Sequence, residues 1–93
     1  MIIGAIYCEL LIYDAQSLKE KRSVLKSLIT RLKQRFNVSV AEIGHQNVWQ
    51  RSEIAVVTVS SDRKVAEQEL ERVLSFIDRM TELERTVTNY EWL

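Results

Sequence analysis

The chain has no proline, two glycines, one cysteine and one histidine among its 93 residues. One cysteine closes no internal disulfide, so a cystine-stapled scaffold is excluded and a reducing, cytoplasmic setting is the default expectation. One Cys and one His, with no C-x-x-C or H-x-x-H spacing, do not make a transition-metal site in a single chain, and no metal is expected. The glycines, Gly4 and Gly44, stand too far apart for a Walker or dinucleotide phosphate cradle, so no nucleotide cofactor is expected either. No apolar run approaches the ~20 residues that span a bilayer. The first twelve residues are apolar but lack a basic leader and a cleavage site, so no membrane or secretory segment is expected. Low-complexity runs and internal repeats are missing too. Thirteen basic and thirteen acidic residues cancel, which excludes a globally basic nucleic-acid binder but not a locally basic one.

What is present is segregated charge. Between Lys19 and Arg35 stand seven basic residues and one acidic, a net of +6; between Asp62 and Glu91 stand five basic and eight acidic, a net of −3. The basic stretch, Ser17 to Phe36, predicts one amphipathic helix. At ~100° per residue, Leu18, Val24, Leu25, Leu28, Ile29, Leu32 and Phe36 share one arc. Ser17 followed by Glu20 is a capping-box start. Lys19, Arg22, Lys26 and Lys33 run along one shoulder of the arc, Arg31 and Arg35 along the other. Like charges three or four residues apart cost roughly 0.2–0.5 kcal/mol per pair. Lys19, Lys21 and Arg22 also oppose the helix dipole, by roughly 0.3–1 kcal/mol each. This surface is either a solvated basic face or one kept for an anion, which free helix-start amides beside Lys and Arg would suit.

The remaining elements follow from periodicity. Ile2 to Tyr13 alternates as a strand that is apolar on both sides, hence central, with the even residues toward the helices and the odd ones outward. After Asn37, a left-handed helix stop by expectation, Val38 to Ile43 predicts a second strand. Gly44 to Ser52 is a polar connection, and Ile54 to Ser60 a third, β-branched strand. Ser61 or Asp62 caps a second helix through about Met80, with Ala66, Leu70, Val73, Leu74, Ile77 and Met80 inward. A last strand spans about Arg85 to Trp92, with Thr86, Thr88, Tyr90 and Trp92 on one side. The order β-α-β-β-α-β predicts a single domain over residues 1–93. Its class is α+β, a ferredoxin-like sandwich with a four-stranded antiparallel sheet ordered 4-1-3-2 and both helices on one face. That topology brings the start of the basic helix beside His45, Asn47, Trp49, Gln50 and Arg51.

Three strings are specific: S-L-K-E-K-R-S-V-L-K-S-L at Ser17 to Leu28, R-F-N-V-S-V-A-E at Arg35 to Glu42, and W-Q-R at Trp49 to Arg51. On these, and from the first strand to Glu91-Trp92, the chain resembles the YlxP-like family, domain of unknown function family 503. It departs where the family has D-x-W, because Asn47-Val48-Trp49 lacks the carboxylate. The resemblance implies the same ferredoxin-like fold and no established activity. Family members are often encoded among genes for transcription elongation, translation initiation and ribosome maturation, so the resemblance also implies an RNA- or ribosome-linked role.

Catalysis is not expected. Cys8 lies mid-strand and His45 at the end of the second strand, about two sheet spacings or ~9.6 Å apart, beyond a nucleophile–base hydrogen bond. The first loop, Tyr13 to Ser17, lacks the Gly and Arg of an acylphosphatase cradle. The leading expectation is a non-enzymatic module whose Ser17, Lys19, Lys21, Arg22, Lys26, Trp49, Gln50 and Arg51 contact RNA phosphates, on the ribosome or elsewhere. The blander readings make Trp49 a plug at the core edge and pair Arg51 with Glu53 or Glu42. A second expectation uses the open sheet face, where Tyr7 and Tyr13, joined by Tyr90 or Trp92, stack bases or pack a homodimer. In that alternative the basic helix meets an acidic partner, such as the Glu67/Glu71/Asp78 face of a second copy. A third is a binder of a small anionic metabolite.

Overall fold

The computed structural model describes every residue from Met1 to Leu93. Its elements are β1 (Ile2–Leu11), α1 (Leu18–Arg35), β2 (Ser39–Gly44), β3 (Arg51–Ser60), α2 (Arg63–Arg79) and β4 (Glu84–Trp92). The strands form one antiparallel sheet ordered β2-β3-β1-β4, the expected 4-1-3-2 read from the other edge.

Alternation in β1 decides the layering. Ile6, Cys8 and Leu10, with Ile12 beyond the strand, are fully buried, and they meet Ile54 and Val56 of β3 under the helices. Leu25, Leu28 and Leu32 of α1 and Ala66, Leu70, Val73 and Ile77 of α2 close the core from above. Burying side chains of this size is worth roughly 1.5–3 kcal/mol each. The odd residues of β1 point to the other side of the sheet, which no element covers.

Two boundaries and one strand facing differ from the sequence reading, each for a local reason. β3 begins at Arg51 because Arg51 and Ser52 pair with Leu11 and Leu10 in the ladder. The Ser52 hydroxyl, fully buried, donates to Glu42 at 2.7 Å, so a polar residue continues the strand at no desolvation penalty. α1 does not stop at a left-handed Asn37; Phe36 ends it in an extended conformation, and only His45 has a positive φ among non-glycine residues. Asn37 is instead spent on tying elements: its amide side chain donates to the Val59 carbonyl at 3.0 Å, and its carbonyl accepts from Thr58 Oγ1 at 2.7 Å. In β4 a bulge between the partners of Cys8 and Leu10 shifts the register. Arg85, Thr88, Tyr90 and Trp92 therefore share the helix side, and Thr86 leaves that row, its hydroxyl donating to the Glu9 carbonyl at 3.4 Å.

Gly4 has a packing reason. A Cβ there would lie 2.5 Å from the Trp92 ring, over which Arg63 of α2 lies at 4.1 Å.

Candidate nucleic-acid interface

The start of α1 and the β2–β3 loop do come together, through a lysine that the sequence placed on the surface. Lys21 is fully buried. Its Nζ lies 3.0 Å from Glu42 Oε2 and donates to the carbonyls of His45 and, at 2.7 Å, Val48. Two ammonium donors are thus bonded to carbonyls and the charge is paired with a carboxylate, as burial of a charge requires. His45 adopts φ 57° there, and its carbonyl also accepts from the Val48 amide at 3.1 Å, closing the turn. Lys21 is consequently removed from the anion-contacting set. Its role is to fasten α1 to the loop that carries Trp49.

The helix start is also capped by its own side chains. Ser17 Oγ accepts from the Glu20 amide at 3.1 Å, while Glu20 Oε2 accepts from the Gln16 amide at 2.5 Å. The Glu20 carboxylate therefore lies just before the first turn, on the Gln16 amide, and the Ser17 hydroxyl serves its own helix. Gln50 is likewise engaged: its amide nitrogen donates to the carbonyls of Tyr13, at 3.1 Å, and Ala15, at 3.3 Å. Trp49 is not a core plug. It is 51 % exposed, flanked by exposed Val48, and free to meet a partner.

Arg51 belongs to the other side of the sheet. It pairs opposite Leu11 in the ladder and approaches Glu9 Oε1 at 3.4 Å, where His45 Nε2 also lies at 3.4 Å. Neither Glu53 nor Glu42 is its partner. Cys8 faces the helices and His45 reaches the open face, so thiol and imidazole are on opposite sides of the sheet. Burial pushes the Cys8 thiol above its ordinary range, which makes it an inert core group. No three His, Cys, Asp or Glu side chains are grouped so as to hold a metal ion.

The expected aromatic row on the open face divides. Tyr7 pairs opposite Ala55 and Asn89 on the open side, and its hydroxyl donates to Glu91; Tyr13 donates to Glu84 at 2.6 Å. Both bonds to carboxylates raise the phenol pKa. Tyr90 and Trp92 stand opposite Ile6 and Gly4, on the helix side, and cannot join them. Burial, with Glu71 of α2 nearby, raises Tyr90 as well. The open face instead offers Val57, Val59 and Val87, all exposed.

What remains of the basic set is on α1. Lys19, Arg22, Lys26, Arg31, Lys33 and Arg35 are all exposed, and none lies within salt-bridge distance of a carboxylate. The sequence reading missed a second basic row on α2. Arg72 and Arg79, seven residues apart with Phe76 between, face Arg31 and Arg35 across the groove between the helices. Arg35 lies over the Phe76 ring at 5.1 Å, and Phe76 meets Phe36 edge-on at 6.1 Å. The 72, 76, 79 spacing was the available signal.

A four-stranded antiparallel sheet with two helices on one face and an unpaired basic helix defines a small α+β module of the ferredoxin-like class. The chain belongs to the family described as "Protein of unknown function (DUF503)", whose model matches residues 3–90. It is 55 % identical over 91 residues to "Uncharacterized protein YlxP" of Bacillus subtilis (strain 168), covering 98 % of this chain and 99 % of that one. Among solved structures it is similar to "De novo designed protein Foldit4", with a TM-score of 0.56 at 12 % identity over 100 % of this chain and 97 % of that one, a likeness of fold alone. No helix is long and apolar enough to cross a membrane.

Proposed function

We propose that this protein is an RNA-binding module that contacts phosphates through the outer surface of α1. One observation carries the reading: six exposed cations on a single helix have no carboxylate partner in the molecule. Their mutual repulsion and, for Lys19 and Arg22, the opposing helix dipole are unfavourable in the free protein. A polyanion relieves both at once. Trp49, exposed on the loop that Lys21 anchors, supplies an aromatic surface near the helix start. Ribosomal RNA is the first target to try, given the gene context the family resemblance implies.

Retention of ribosomal RNA fragments on filters across a salt series tests this. Each phosphate contact contributes about −0.7 to the log–log slope on a single strand. Replacing Lys19, Arg22 and Lys26 with alanine should flatten the slope by about 2 and weaken binding at least tenfold at low salt. Unchanged retention in that variant, or no salt dependence in the parent, overturns the reading.

A second reading concerns the opposite side of the sheet and is favoured by its exposed Val57, Val59 and Val87: that face packs against a second copy. The version in which α1 meets the acidic side of α2 loses support, because Glu67 and Asp78 are already paired with Arg63 and Arg85. Sedimentation velocity at micromolar concentration decides it: a dimer that Val57→Lys dissociates supports the face-to-face form, and a monomeric parent ends it.

A further inference from the structure

Neighbouring surface depressions on the helix layer share basic lining residues, and that sequence of shared residues extends the site beyond α1. A shallow hollow on the outer side of α1 includes Lys26 and Arg31. Arg31 also lines the next depression, between the helices, together with Arg35, Phe76 and Arg79. Those last three in turn line a larger groove of about 510 Å³, which adds Arg72. Five cations thus border one track, with Glu71 and Glu82 as the carboxylates beside it.

We infer that this track, from Lys26 across Arg31 and Arg35 to Arg72 and Arg79, is the path of a single-stranded RNA backbone. The inference rests on the RNA reading of α1 and names the strand form and the α2 residues that reading does not include. Three features support the single strand. The groove, about 510 Å³, is bordered by side chains of both α1 and α2, and a flexible chain of phosphates follows such a surface more readily than a rigid duplex. The cations recur along the groove from both walls instead of forming one flat patch. Arg35, placed over the Phe76 ring at 5.1 Å, brings a guanidinium and an aromatic ring together in the groove, the kinds of group on which unpaired bases stack. Arg72 carries only a long, exposed contact to Glu69 at 3.6 Å, three residues away on its own helix, and Arg79 carries none. Neither arginine is committed to holding the fold.

The test uses fluorescence anisotropy with the intact chain, a 12-nucleotide oligouridylate and an RNA duplex of the same length, across a salt series. Arg72→Ala/Arg79→Ala should weaken oligouridylate binding about tenfold and flatten the log–log slope by about 1.4, the contribution of two phosphates. Duplex binding should change less than twofold. Arg72→Lys/Arg79→Lys should restore most of the slope, and circular dichroism should show all variants folded. If the alanine pair leaves oligouridylate binding unchanged while the Lys19/Arg22/Lys26 variant loses it, the track is wrong and the α1 reading stands. If polyglutamate displaces the oligonucleotide as effectively as unlabelled RNA, the groove is an acidic-protein site and the inference fails. Absence of salt-dependent binding in the parent removes both.

Discussion

The two helices cover the same sheet and handle charge in opposite ways. On α2, four cations face four acids, and Arg63 and Arg72 are paired with Glu67 and Glu69 on their own helix, while Asp78 takes Arg85 from β4. On α1, seven cations face one acid, Glu20, and that acid is spent on the helix start. The single α1 cation that finds a carboxylate, Lys21, does so by leaving the surface altogether. The difference teaches where charge serves the fold and where it does not. Half of the α2 cations, Lys64 and Arg79, are also unpaired, and Arg72 holds only a long contact, so what sets α1 apart is the concentration of six unpaired cations on one helix.

The sharpest way to break the comparison is to remove the paired α1 cation. Lys21→Met takes the ammonium away from Glu42, which keeps only its bond from Ser52, and from the carbonyls of His45 and Val48, and unfolding in urea should show a loss of about 3 kcal/mol. Adding Glu42→Leu should return part of it, because the uncompensated carboxylate goes too. A smaller effect is expected at Asp78. The hydrogen bonds from Arg85, at 2.9 and 2.7 Å, hold its carboxyl below the ordinary aspartate range. A depressed folded pKa stabilises above the unfolded value, about 3.9, and the contribution is lost as pH falls through the folded one. Asp78→Asn should therefore cost about 0.5–1 kcal/mol at pH 7, as partly exposed pairs do, and the gap to the parent should close below about pH 4. The smallest change has the opposite sign. Lys19→Glu places an acid in the first turn and ends a repulsion with Arg22, so thermal unfolding should rise by a gain of about 0.5 kcal/mol while RNA retention falls. A surface that exists for solubility alone would show the gain without the loss.

Most of the architecture was legible because periodicity reports on burial. The even residues of β1 and the 25, 28, 32 stripe of α1 could face only a core. The site was less legible, since exposure and pairing depend on what arrives from elsewhere in the chain. Lys21 is the clearest instance. It falls on the same stripe as Leu25, Leu28 and Leu32, so its burial was readable from the wheel, yet its acceptors come from β2 and the following loop. Gln50 and Arg51 are neighbours that turn to different partners once the ladder is extended to Arg51. Tyr90 and Trp92 were assigned to the wrong face because a bulge in β4 leaves no mark that alternation can detect. The arginines of α2 were overlooked because that helix is neutral as a whole, and only its packing against α1 gathers Arg72 and Arg79 beside Arg31 and Arg35.

One measurement tests the contrast between the helices most directly: the log–log salt slope for single-stranded ribosomal RNA in two variants carrying equal charge changes. Lys19→Gln/Arg22→Gln on α1 should flatten it by about 1.4. Arg63→Gln/Lys64→Gln on α2, at the opposite end from the groove's Arg79, should leave it as it is in the parent. Equal flattening in both would mean that only net charge matters, and no flattening in either would mean that the exposed cations of α1 meet no phosphate.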